Sequence, residues 1–250
     1  MAAASPFLVW SFAVLGVLVG SAFPLGVYWA GRRLGEGRSM AVAAAAATAL
    51  WMALTAGAAA SGALTFDGAP PTMVLLIVSI LVIALGIGSS RVGGRLAAGV
   101  PLAALVGVQA FRLPLELVMH RAYAEGIMPV QMSYSGRNFD LVTGITAILV
   151  AGLLLAGRMP EWGVRLWNWM GLALLVNVVV IANLSTPTPF RVFMNEPANV
   201  WIAQAPFVWL PSVMVLTAFI GHIIIFRRLR RKELPAPVEP RREREQLSAV

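Results

Sequence analysis

The chain has 250 residues, 59% of them hydrophobic and only 12% charged, with a mean hydropathy of +0.80. A soluble globule needs a polar exterior, and this composition cannot furnish one. The net charge of +8 does not point to nucleic acid, because Arg227, Arg228, Arg230, Arg231 and Lys232 directly follow an apolar run, where cations anchor a helix and attract anionic lipid headgroups.

The absence of cysteine excludes disulfides, thiol catalysis and thiolate metal sites. Lys232 is the only lysine and lies past the last apolar run, which excludes a Schiff base inside the bilayer. Arginine outnumbers lysine amid abundant Ala and Gly. That bias suggests a GC-rich bacterial genome and a place in the bacterial inner membrane.

Apolar stretches follow one another at about 7–30, 40–64, 73–90, 100–120, 139–157, 166–184 and 207–226. Each is long enough to cross a hydrocarbon layer of about 30 Å at about 1.5 Å per residue. None alternates as a barrel strand would. The expected fold is therefore all-α, an integral membrane seven-helix bundle over residues 1–229, with a flexible basic tail at 230–250 that contains Pro235, Pro237 and Pro240.

Loop charge sets the expected orientation. Arg32, Arg33, Arg38, Arg91, Arg95, Arg158 and Arg165 fall in connections on the side of the tail, against Arg121, Arg137 and Arg191 on the other. The positive-inside rule then places the C-terminus in the cytoplasm and the N-terminus outside. Small residues at Gly20, Ser21 and Ala22 resemble a cleavage site. However, no basic residue precedes the run and its hydrophobicity continues to Trp29, which favours a retained span.

Gly16 and Gly20, and likewise Gly57 and Ser61, are spaced to let helices approach closely. The alanine-rich second stretch is expected at the centre of the bundle. Trp10, Trp29, Trp162, Trp167 and Trp201 sit near span ends, as interfacial anchors do.

Polar residues inside spans are costly and mark sites. In the fourth stretch Gln109, Arg112, Glu116 and His120 follow at helical spacing, which puts them on one stripe and predicts an Arg112–Glu116 pair along the helix. Pro114 leaves the Ala110 carbonyl without its usual donor, so a kink is expected there. Such a stripe can line a binding cavity, or it can be an internal ion pair that only fixes packing. Asp140, Thr143, Asn177, Asn183 and Ser212 are expected at the same outer level, beneath the connections 121–138 and 185–206. Asn138 and Asp140 also suit a helix cap.

His120 and His222 are the only histidines and are expected near opposite faces, which leaves no metal site. No cofactor motif appears, and His222 reads as a packing residue.

The segments FRLPLELVMH, GRNFDLVTGITA and PFVWLPSVMV together resemble a group of bacterial polytopic membrane proteins. The resemblance covers Phe111 to Leu229, leaves the first three spans unmatched, and implies no activity, cofactor or catalytic residue.

The leading expectation is a protein that binds or transports a small ligand in an outward-facing polar pocket, through Gln109, Arg112, Glu116, His120, Asp140 and Asn177, with Arg112 attracting an anionic group. A structural or accessory subunit, paired with another membrane protein or a second copy, is the alternative. A membrane-interface enzyme using Glu116, His120 and Asp140 is the third reading, without the nucleophile elbow or metal-ligand spacing that would favour it.

Overall fold

The computed structural model describes residues 3–35 and 38–230. Helix starts follow local chemistry. Ser5 caps α1 (Pro6–Leu34) by accepting from the Leu8 amide at 3.3 Å, Pro6 fills the first turn, and Gly35 closes the helix in the left-handed conformation. There follow α2 (Ser39–Ala60), α3 (Thr72–Ser89), α4 (Arg91–Gly99), α5 (Leu102–Val108), α6 (Arg112–Ala124), α7 (Leu141–Leu155), α8 (Glu161–Leu184) and α9 (Leu216–Arg230). A 3-10 turn at Gln109–Phe111 joins α5 to α6, and a π-helical segment at Leu210–Val215 leads into α9. No strand occurs among the described residues.

Among the described residues, six helical units are long and apolar enough to cross a membrane: α1, α2, α3, α5–α6 together, α8, and the π segment with α9. The chain is thus a multi-pass membrane protein. The fifth expected stretch differs, because α7 has only 15 residues, or about 22 Å of helix. The tail residues 231–250 lie outside the described residues.

The shortness of α7 has a structural reason. After α6 ends, the chain runs back beside that helix with no more regular structure than a 3-10 turn at Val130–Met132. The Ile127 amide donates to the Ala122 carbonyl at 3.0 Å, Ser133 meets His120 at 2.8 Å, and Asn138 reaches Glu116 at 2.8 Å. Gly144 then lies so close to α6 that a Cβ there would collide with the Leu113 amide. Residues 127–144 therefore return along about 14 Å of α6, from Ala122 to Leu113. Ile127, Met128, Gln131, Met132, Ser133 and Asn138 are buried along this stretch. What reads as a loop over the bundle is folded into it, as non-helical backbone at membrane depth must be.

The centre of the bundle also differs from expectation. In the most apolar window of the π–α9 unit 61% of residues are buried, against 11% in α2, so α9 is the central element and α2 is peripheral. The alanine face of α2 is largely unpacked, and nothing lies within 4 Å of a Cβ placed on Gly57. Gly16 and Gly20 behave as close-approach sites: Cβ atoms there would press on the Trp209 ring and on the Met52 sulfur. Trp10, Trp29 and Trp162 are exposed, as anchors are, but Trp167 and Trp201 are core residues. Trp201 packs edge-on to Phe12 at 5.3 Å, and Trp167 donates to the Thr146 hydroxyl at 2.9 Å.

The short helix α4 was not expected. Ser90 caps it by accepting from the Val92 amide at 3.1 Å, and Arg227 donates to the Ser90 carbonyl at 2.7 Å. This ties the connection to α9 at the arginine-rich end of the bundle.

Candidate binding site

Arg112 lies near the midpoint of the α5–α6 unit and is 1% exposed. An arginine so placed must direct its donors to acceptors inside the protein. Its Nη1 donates to Asp140 Oδ1 at 2.7 Å and to the Gly171 carbonyl at 3.1 Å, and its Nη2 lies 3.0 Å from His222 Nε2. The guanidinium can only donate, so Nε2 accepts and the imidazole is neutral, with its proton on Nδ1. That proton goes to Asn168 Oδ1 at 2.7 Å, and Asn168 Nδ2 donates to the His222 carbonyl at 3.1 Å. Gly171 permits the approach, since a Cβ there would sit 2.8 Å from the imidazole.

The predicted partner of Arg112 is therefore corrected. The ion pair is formed with Asp140, whose side chain is 5% exposed, and not with Glu116. Glu116 is itself 1% exposed, and Asn138 Nδ2 donates to it, at 2.8 Å from each carboxylate oxygen. Asn138 does further work: its Oδ1 accepts from the Asp140 amide at 3.0 Å, and its Nδ2 also meets the Met132 carbonyl at 3.0 Å. One asparagine thus caps the approach to α7 and holds the carboxylate of α6.

Arg112, Glu116 and Asp140 form the charged floor of a cavity of about 60 Å³, large enough for water. Its walls are apolar, with Ile77 and Ile80 from α3, Leu115 and Met119 from α6, and Leu175 and Val178 from α8. Leu210, Met214 and Ala218 close it from the π segment and α9, and Ile202 roofs it. Ile77, Leu81 and Val179 are only half-buried, so the cavity is a slot reaching the flank of the bundle between α3 and α8. A second small cavity continues it along the same seam, lined by Met73, Val74, Ala182 and Thr186.

The other expected site residues lie apart from this floor. Gln109 is fully buried and donates to the Ala218 carbonyl at 3.3 Å. His120 stacks on Tyr134 at 4.3 Å and bonds Ser133. Asn177 holds the Arg137 carbonyl at 3.0 Å, while Asn183 does line the slot. Ser212 faces α2, where its carbonyl accepts from Trp51 at 2.8 Å. Glu116, His120 and Asp140, grouped as acid–base candidates, are each held by a different partner: Asn138, Ser133 and Arg112. Among the described residues no three metal-ligating side chains gather.

Asn168 and His222 are site residues that sequence reasoning missed. Each is a polar side chain within an apolar run, a signal that an intramembrane partner is required. Length along α9 places His222 about 12 Å from the end of that helix, and the long Arg112 side chain closes the remaining gap.

A family model described as a domain of unknown function (DUF8737) matches residues 69–230. The match takes in α3 as well as the segments that carried the resemblance, and it contains every residue of the charged floor. No curated protein and no solved structure matches the chain.

Removing one member of a buried pair strands the other. Asp140→Asn is expected to destabilise the fold by about 3–5 kcal/mol, and the apolar double replacement Arg112→Met with Asp140→Leu to recover most of that loss. Unfolding of the purified protein in detergent measures both. A negligible loss in Asp140→Asn would mean that the pair is solvated.

Proposed function

As a member of the DUF8737 family, this chain inherits no activity by kinship, and from its site we propose that it binds or transports a small amphiphilic ligand within the membrane. The observation that supports this is the pairing of an apolar slot with a charged floor inside the bundle. A tightly packed core would bury the Arg112–Asp140 pair without leaving space beside it. The apolar part of the ligand lies along α3 and α8, and its polar end meets Arg112, Glu116 and Asp140.

The slot differs from the polar outer pocket of the sequence reading in having apolar walls and an opening on the flank. Entry from the lipid phase follows from that shape, since the connection through Ile202 covers the end. The folded-back segment and the short α7 also resemble, in kind, the interrupted helices that place binding groups near the midplane of transporters.

In this reading the chain crosses the membrane seven times. Residues 127–140 complete the depth that α7 lacks, and the arginine-rich end faces the cytoplasm of a bacterial cell, with its basic tail against anionic lipid. Because the chain has no cysteine, single cysteines test this cleanly. Substitutions at Asp67 and Glu196 are expected to react with an impermeant thiol reagent from outside, and one at Glu161 only from inside. A six-span chain in which α7 fails to cross would bring Glu161 outside and Glu196 inside.

A second reading rests on α2, whose alanine face is unpacked and suits contact with another membrane helix. Purification as a monomer without partners would count against it.

Access to the slot tests the main reading. Met119→Cys, at a position 1% exposed, is expected to react with a small neutral alkylthiosulfonate, and to lose that reactivity when Ala182→Trp fills the slot. A cysteine at 119 that stays inert in the otherwise unaltered protein would contradict an accessible chamber.

A further inference from the structure

We infer that the ligand of this slot is an amphiphilic amine, bound as its ammonium against the Glu116 carboxylate; the inference rests on the slot being the ligand site.

One acidic group at the floor has no ion-pair partner among the described residues. Arg112 is matched by Asp140 at 2.7 Å, and its other terminal nitrogen is directed at His222, which is neutral because it accepts there. Glu116 accepts instead from a neutral amide, that of Asn138. The charged groups acting on it are Asp140 at the start of α7 and Arg112 on its own helix, while His120 is engaged by Ser133 and His222 by Arg112 and Asn168. With Arg112 and Asp140 matched to each other, the Glu116 carboxyl is left without a cation of its own among the described residues, and it borders the cavity.

Charge in a low-dielectric interior calls for an opposite charge close by. A primary ammonium is compact and carries three donors, so it can bond a carboxylate whose remaining lone pairs Asn138 leaves open. The apolar walls of α3, α8 and α9 then take an alkyl body.

An anionic head fits poorly. The single guanidinium already has Asp140 as its counter-ion, and an anion placed beside that carboxylate would be repelled strongly at such range. The Nε of Arg112 has no partner among the described residues. That N–H asks for a neutral acceptor, such as water or a hydroxyl or carbonyl oxygen on the ligand, because the charge of the arginine is already met.

Matched C12 probes separate these chemistries: dodecylamine, dodecanol and dodecanoate. Their saturable binding to the full chain in zwitterionic nanodiscs is measured by equilibrium dialysis against empty nanodiscs. Dodecylamine is expected to bind most tightly and dodecanoate least. Glu116→Gln is expected to weaken the amine by about 30-fold or more, as loss of a buried charge partner does, while leaving dodecanol nearly unchanged.

Ala182→Trp is expected to abolish saturable binding of the amine and the alcohol alike. Tighter binding of dodecanoate, or equal binding of all three, would overturn the amine assignment and leave the slot as a ligand site. Amine binding unaffected by Ala182→Trp would instead overturn the slot itself. The comparison of probes on the unsubstituted protein stands even where a variant fails to fold.

Discussion

Within a bilayer core no water satisfies a stranded polar group, and this constraint organises the molecule around the Arg112–Asp140 pair. The pair draws the start of α7 down to the midpoint of the α5–α6 unit. The chain leading to it must therefore descend through the bundle, and it does so with its own amides occupied. Met132, Ser133, Gly136, Arg137 and Asn138 donate to nearby carbonyls, and the Asp140 amide donates to the Asn138 side chain. A helix in this place would satisfy its backbone just as well. Only an irregular segment, though, can present Asn138 to Glu116 and Asp140 to Arg112 from one short stretch of chain.

The same arrangement produces the slot. Helices α3 and α8 both pack on the π–α9 unit, while the seam between them holds the two adjoining cavities. Apolar side chains line that seam, and the charged floor lies at its inner edge. The connections at the end opposite the arginine-rich one are tied together by Gln131 to Ser185 at 2.9 Å and Asn199 to the Ala182 carbonyl at 3.0 Å. A ligand would thus meet a firm roof, a charged base and a flank made only of side chains.

Much of the helical content was legible, because apolar runs about 20 residues long have few alternatives. The stripe of Gln109, Arg112, Glu116 and His120 was legible as a stripe, from spacing alone. Its pairing was not. Helical neighbours at i and i+4 can pair, but Asp140 and Asn138 offer closer geometry, and their approach depends on a chain reversal that no periodicity announces. His222 was set apart on helix length, a sound estimate of where its backbone lies that ignored the reach of arginine. The alanine run of α2 carried the opposite error: small residues permit close packing but do not require it. The expected kink takes the form of a 3-10 turn at Gln109–Phe111, which contains the Ala110 carbonyl that Pro114 cannot serve.

If the pair holds residues 127–140 inside the bundle, their amides must be shielded although no long helix contains them. Hydrogen–deuterium exchange of the protein in nanodiscs measures this directly. The account predicts that peptides spanning 130–140 exchange as slowly as those of α6, and far more slowly than the connection at 187–198. Exchange over 130–140 as fast as in that connection would contradict it, and with it the charged floor on which the ligand site depends.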